Sequence, residues 1–196
     1  FGEEKTMPGT CILVTGGAKS GKSVFAETYL KTCTGRKIYA ATAKALDEEM
    51  KRKIAAHQKR RPSSWQTVEM PYDMPARMPQ ILQAADVVLV DCLTMYFSNF
   101  LFAHEEEADG VIIEKALQEM EQTCRCIHAS DGKKVVFVTN ELGCGIVPMG
   151  RISRLYRELI GVVNQKAAAE AAEVYATICG ITIELKSRQV QLGGTV

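Results

Sequence analysis

Three runs of consecutive apolar, largely β-branched residues, "CILVT" (11–15), "VVLVD" (87–91) and "VVFVT" (135–139), restrict the fold of this chain more than anything else in it. Each is apolar without alternation and is followed by polar or glycine-rich residues. That pattern suits strands buried on both faces of a parallel sheet. A fourth run, "KIYAA" (37–41), follows a helical segment at 23–33 and the turn signal "TGR". Helical patterns occupy 47–60, 111–129 and 151–173, and the tail over 173–186 reads as two short strands joined at Cys179-Gly180, an antiparallel hairpin at a sheet edge. Strands alternating with helices predict an α/β fold, a doubly wound, mostly parallel sheet closed by that C-terminal antiparallel edge hairpin. With no repeat, linker or low-complexity segment, one domain is expected over 11–186, with residues 1–10 an appended extension.

The first run leads directly into "GGAKSGKS" (16–23), which satisfies G-x-x-x-x-G-K-[ST] between an expected strand and an expected helix. The chemistry explains the spacing. Glycines let successive backbone N–H groups curl around phosphate oxygens, and the helix that follows adds the positive end of its dipole. Lys22 would reach the outer phosphates, and the Ser23 hydroxyl would ligate Mg²⁺ beside a bound nucleoside triphosphate. Asp91, closing "VVLVD", looks like the Walker B carboxylate of such sites, which holds the metal or its water near Ser23. The alternative reading of Asp91 is a cap for a helix beginning near Thr94. These features imply a P-loop nucleotide-binding protein and do not separate kinases from ATPases and GTPases.

Composition removes other classes. The chain is 46% apolar and 24% charged, ordinary for a soluble enzyme, and its 24 basic and 23 acidic side chains leave a formal net charge of +1. No global field points to nucleic acid or to an acidic membrane surface. No apolar run approaches the roughly 20 residues that span a bilayer, and "FGEEKTMPGT" lacks the apolar core of a signal peptide, so no membrane insertion and a cytoplasmic location are expected. The seven cysteines include no CxxC pair and read as reduced thiols; Cys92 and Cys144, near the motifs, read as small buried packing residues.

One stretch, "ALDEEMKRKIAAHQKRRP" (45–62), has acidic residues in its first turn and basic residues in its last, as the helix dipole favours. A solvated amphipathic helix accounts for most of that composition. Lys53 and Arg61 nevertheless lie four residues before and after His57, so three basic groups share a face with no acid at those spacings, a face suited to an anion. Such neighbours disfavour the imidazolium and leave a neutral nitrogen able to act as a nucleophile. Read from the residues, His57 is a surface histidine, a phosphate contact or a nucleophile.

From about Cys11 to Lys186 the chain resembles the bifunctional adenosylcobinamide kinase / adenosylcobinamide-phosphate guanylyltransferase family of cobalamin biosynthesis. The resemblance is carried by "ILVTGGAKSGKS" (12–23), "YAATAKALDEEMKRKIAAHQKRRPSSWQTVE" (39–69), "TNELGCGIVP" (139–148) and "RISRLYRELIGVVNQKAA" (151–168). It implies a RecA-like P-loop fold, and it implies that His57 becomes guanylylated. Nucleotide contacts carry over to Gly16, Gly17, Ala18, Lys19, Ser20, Gly21, Lys22 and Ser23, to Ala41, Thr42 and Ala43, to Gln58, Lys59, Arg60 and Arg61, and to Glu69 and Asp91. Taken alone, Glu69 reads as a surface charge at a strand end. Arg60 departs from the family, which places a small residue, often glycine, before the Arg-Pro pair. "TNELGCGIVP", with Thr139, Asn140 and Glu141, reads as the substrate side of the site or as an ordinary strand-to-helix connection.

The resemblance further implies two reactions in one site, phosphorylation of adenosylcobinamide with ATP or GTP and transfer of GMP from GTP to the resulting phosphate, along with Mg²⁺ and a homotrimer. Two rivals remain at this level: a P-loop kinase for another small molecule, and a RecA-like ATPase stimulated by nucleic acid. The near-neutral charge and the lack of clustered aromatics beside 51–61 weigh against a nucleic-acid partner.

Overall fold

The three apolar runs form the middle of a seven-stranded sheet. In the computed structural model, which describes residues 7–44 and 62–190, β1 (Thr10–Gly16), β2 (Lys37–Ala41), β3 (Gln66–Glu69), β4 (Val87–Asp91), β5 (Lys134–Val138), β6 (Glu173–Ile178) and β7 (Ile181–Glu184) lie in the order β3-β2-β4-β5-β1-β6-β7. β1 to β6 are mutually parallel and β7 alone runs antiparallel, paired with β6. The hairpin turns at Cys179 and Gly180, both at positive φ, so the expected edge hairpin is present where the tail reads it. Five α-helices flank the sheet among the described residues: α1 (Lys22–Thr32), α2 (Met74–Ala84), α3 (Leu93–Ala103), α4 (Asp109–His128) and α5 (Arg151–Glu170).

Continuous apolar strands are needed because alternate residues feed two cores. Ile12, Val14, Leu89, Val136 and Val138 pack with Ala26 and Leu30 of α1 and with Tyr39 and Trp65. Cys11, Leu13, Val88, Val90, Val135 and Phe137 pack on the other face against α2 to α5. No helix of the described residues is long and apolar enough to cross a membrane.

The helices expected over 111–129 and 151–173 are α4 and α5, the second ending at Glu170, three residues early. The helix expected over 47–60, with His57, Gln58, Lys59 and Arg60, and the neighbouring Arg61, lie outside the described residues. α2 has no counterpart in the sequence reading because Pro75 and Pro79 lie in it. Pro75 occupies the first turn, where no N–H is required. Pro79 deprives the Pro75 carbonyl of its helical donor, and the Cys126 thiol approaches that carbonyl at 3.8 Å. Burial of Met74, Met78, Ile81 and Leu82 on one face outweighs the defect.

At the amino ends of the strands Asp86 ties three of them together. Its Oδ2 accepts the Arg36 N–H at 2.8 Å and its Oδ1 accepts from Lys133 Nζ at 2.8 Å. The Lys133 hydrogen bond, seconded by the Arg36 N–H, holds the carboxyl down from 3.8 to about 2. A carboxylate with a depressed folded pKa contributes stability that is complete above its unfolded pKa and is lost as pH falls through the folded value. Asp86→Asn is therefore expected to destabilise the protein at neutral pH and to lose less further stability than the wild type between 3.8 and about 2. Urea midpoints of both proteins across that range, where the two curves should converge on acidification, measure it.

Candidate functional site

β1 ends in a loop whose backbone is built to approach an anion. Gly21, immediately before α1, has φ 100 and caps the helix in a conformation that only glycine adopts without strain. Gly16 is enclosed: a Cβ there would stand 2.4 Å from the Thr177 carbonyl oxygen and 2.6 Å from Ser20 Oγ. Gly17, Ala18 and Lys19 are exposed on the outer side of the loop. From behind, the hairpin tip supports it, with Gly180 N–H donating to the Ser20 carbonyl at 2.8 Å. Ser23 lies in the first turn of α1, half-buried.

Lys22 is 8% exposed, and its ammonium donates to the Gly17 carbonyl at 2.9 Å, back across the mouth of the loop. Burial lowers its pKa, while the neighbouring Cys92 and Asp91 act in the opposite sense. A lysine folded over its own loop and beside Asp91 is placed to exchange a carbonyl for a phosphate oxygen.

Strand register sets the rest of the site. Glu69, Ala41, Asp91, Val138 and Val14 are successive partners across β3, β2, β4, β5 and β1. Asp91 therefore lies two strand spacings, about 10 Å, from the strand that carries the loop, and Glu69 lies two further spacings away at the other end of that row. The capping reading of Asp91 is not what the structure holds. The cap residue of α3 is Cys92, without a side-chain bond, and Asp91 Oδ2 accepts from Tyr39 OH at 3.0 Å. Among the described residues no group of three or more His, Cys, Asp or Glu side chains could hold a metal ion. The sparse oxygen set of Asp91 and Ser23, beside phosphate, is the kind that fits Mg²⁺, which keeps several waters and takes one or two protein ligands.

Thr42 is fully buried. Its hydroxyl donates to the Cys92 carbonyl and accepts from the Cys92 N–H, each at 2.7 Å, and its own N–H donates to the Asp91 carbonyl at 3.2 Å. Asn99, for which the sequence offers no signal, donates to the Thr42 carbonyl at 2.9 Å. Ala43 follows without regular structure. The Cys92 thiol lies 2.9 Å from Thr94 Oγ1, and burial, with Asp91 nearby, pushes it up to about 11. Cys144, expected to be buried, is exposed because the segment after β5 runs over the surface.

That segment begins in an ordered way. Asn140 Nδ2 donates to Thr94 Oγ1 at 2.9 Å, Thr139 Oγ1 donates to Asn164 Oδ1 at 2.7 Å, and Glu141 N–H donates to the Gly16 carbonyl at 3.2 Å. "TNELGCGIVP" thus starts against the phosphate loop and ends with Ile146 95% exposed and Met149, one residue past it, 98% exposed. Arg154 and Arg157 of α5 donate to the carbonyls of Met149 and Gly143 and hold that stretch from below.

A sequence model of the family described as cobinamide kinase / cobinamide phosphate guanyltransferase matches residues 12–185. The chain belongs to this family. It is 38% identical over 180 residues to the bifunctional adenosylcobalamin biosynthesis protein CobU of Salmonella typhimurium, covering 89% of this chain and 99% of the relative, and the CobU of Escherichia coli matches equally well. The CobP protein of Pseudomonas aeruginosa is 37% identical over 175 residues, covering 89% of this chain and 96% of the relative. Among solved structures, an ATPase of a bacterial type III secretion system has a TM-score of 0.56 at 13% identity, covering 86% of this chain and 51% of its own. The assembled ATPase EscN of enteropathogenic E. coli has a TM-score of 0.54 at 12% identity, covering 87% and 43%. These two show the fold alone: a doubly wound, mostly parallel sheet.

Two substitutions separate the roles within the loop. Lys22→Met is expected to cost about 2 kcal/mol of GTP binding, roughly thirtyfold in Kd, with Tm unchanged or raised as a buried charge is removed. Gly16→Ala is expected to lower Tm and GTP affinity together, since its methyl meets backbone. Calorimetric titration and thermal melts of both proteins distinguish the two patterns.

Proposed function

We propose that this protein phosphorylates the aminopropanol hydroxyl of adenosylcobinamide with ATP or GTP and then transfers GMP from GTP, through a guanylylated histidine, to give adenosyl-GDP-cobinamide. The observation that carries the reading is a P-loop with its lysine folded over the cradle, on a chain whose residues 12–185 match the cobinamide kinase / cobinamide phosphate guanyltransferase family. Residues 11–186 act as one domain in the cytoplasm, in a homo-oligomer for which the family resemblance suggests a trimer. Its partners are adenosylcobinamide, its phosphate and the nucleotides, with neither nucleic acid nor membrane insertion required.

In the kinase step the loop N–H groups and Lys22 hold the β and γ phosphates while the substrate oxygen attacks the γ-phosphorus in line and the bond to the β-γ bridging oxygen breaks. Ser23 and Asp91 would hold Mg²⁺, whose charge, when it is bound, neutralises that of the phosphates. In the transferase step a neutral ring nitrogen of His57 attacks the α-phosphorus of GTP, a P–N bond forms, and pyrophosphate leaves into the loop. A phosphate oxygen of cobinamide phosphate then attacks the same phosphorus and the P–N bond breaks, returning the imidazole. Arg61 and Lys59 balance charge at the α-phosphate, Gln58 and Arg60 are nucleotide contacts that the family resemblance implies, and Glu69 accepts from a guanine or ribose edge.

Incubation with α-labelled GTP and Mg²⁺ is expected to leave an acid-labile label on the wild type and none above background on His57→Ala, which should still phosphorylate cobinamide. A labelled His57→Ala protein excludes His57 as the carrier, and a wild type with kinase activity and no adduct excludes the covalent route.

A further inference from the structure

β2 contributes no charged group to the site, yet it grips Asp91 at two places. Tyr39 and Asp91 are diagonal neighbours: Tyr39 pairs with Leu89, and Ala41 pairs with Asp91. Because the residue directly opposite Asp91 is an alanine, the phenol can reach along the same face, and its hydroxyl donates to Asp91 Oδ2 at 3.0 Å. Tyr39 is only 5% exposed, packed in the core under α1, so the donor is held in place by its ring.

The second grip is on the backbone. Thr42 closes a two-way hydrogen bond with the peptide groups of Cys92 and donates its own N–H to the Asp91 carbonyl. A hydroxyl can donate once and accept at the same time, and here it does both at 2.7 Å. Asn99 fixes Thr42 in turn by donating to its carbonyl at 2.9 Å, with a longer bond of 3.3 Å to the Pro71 carbonyl. The carboxylate is oriented through its side chain by Tyr39 and through its main chain by Thr42.

We propose that Tyr39 and Thr42 are positioning residues for the metal carboxylate: they set the plane of the Asp91 carboxylate before Mg²⁺ and nucleotide arrive. The proposal rests on the reading of Asp91 as a metal ligand and adds two residues whose hydroxyls bond to Asp91 and to the Cys92 backbone. It also gives Thr42 a task different from the nucleotide contact that the family resemblance implies, since its hydroxyl is enclosed and committed to Cys92. Orienting partners of this kind matter because a carboxylate that must be reoriented on binding gives up part of the binding free energy.

The test uses Mn²⁺ as the probe, titrated by electron paramagnetic resonance into the full chain with β,γ-imido-GTP, together with nucleotide affinity in EDTA and thermal melts. Tyr39→Phe keeps the ring and removes only the donor; it is expected to weaken Mn²⁺ about tenfold while metal-free nucleotide affinity is unchanged. Thr42→Val should weaken Mn²⁺ similarly and Thr42→Ser should restore it, because serine keeps the hydroxyl. In kinase assays the Tyr39→Phe deficit should lie in kcat at limiting Mg²⁺ and should shrink as Mg²⁺ is raised. Mn²⁺ affinity within about twofold of wild type in a folded Tyr39→Phe protein overturns the role of Tyr39, and equal affinities of Thr42→Val and Thr42→Ser overturn that of Thr42. If Tyr39→Phe does not fold, the threonine pair decides. A wild type that binds no Mn²⁺ with the nucleotide overturns instead the assignment of Asp91, whereas absence of cobinamide phosphorylation bears on the proposed substrate and leaves the metal titration intact.

Discussion

The parallel pairing of β1 with β5 and of β5 with β4 is the constraint on which the rest of this molecule depends. Parallel strands end at the same rim. The phosphate loop after β1, Asp91 at the end of β4, Thr139 and Asn140 after β5 and Thr42 after β2 are thereby delivered to one edge of the sheet, at spacings that hydrogen bonding sets and side chains cannot alter. Reaching that arrangement requires strands apolar on both faces, because helices must cover both sides to return the chain for each new parallel strand. The uninterrupted runs of valine, isoleucine and leucine and the clustering of polar groups at the rim are two results of one topology.

At the rim, the energetics favour partners over exposure. Lys22 is buried enough to have its pKa lowered and meets the cost with the Gly17 carbonyl and the nearby Asp91. Asp91 takes a donor from Tyr39, Cys92 is fastened by Thr42 and Thr94, and Asn140 and Asn164 continue the chain of bonds into α5. Such connected networks are rigid because each group that breaks away leaves a neighbour unsatisfied in a low-dielectric setting. A reaction that consists largely of holding phosphates in line benefits from that rigidity more than from any single reactive group.

Much of this is legible in the sequence, for reasons that differ between elements. β1, β4 and β5 announce themselves because both-face burial keeps their central residues apolar, with polar residues only toward their ends, and the loop announces itself because its glycines are demanded by backbone geometry. α2 escapes such a reading: Pro75 and Pro79 argue against a helix locally, and only the packing of Met74, Met78, Ile81 and Leu82 on the sheet overrides them. Tyr39 also escapes, since within "KIYAA" it looks like one more core aromatic, and its hydroxyl matters only because β2 happens to lie beside β4. Cys144 escapes it for the opposite reason: it is a small apolar residue in a surface loop, exposed among the described residues.

The sequence by itself determined the class of fold and the phosphate-loop motif with its lysine and serine; the assignment of a histidine to carry GMP is a proposal that rests on resemblance. These depend on local patterns: periodicity, glycine spacing and the order of residues along a few turns of chain. Only the tertiary structure decided that Asp91 is gripped by Tyr39 instead of capping α3, that Thr42 faces inward to Cys92, and that the hairpin tip braces the phosphate loop through Gly180. Those contacts join residues far apart in the chain, and the order of strands in the sheet, which no local pattern encodes, is what brings them within hydrogen-bonding distance.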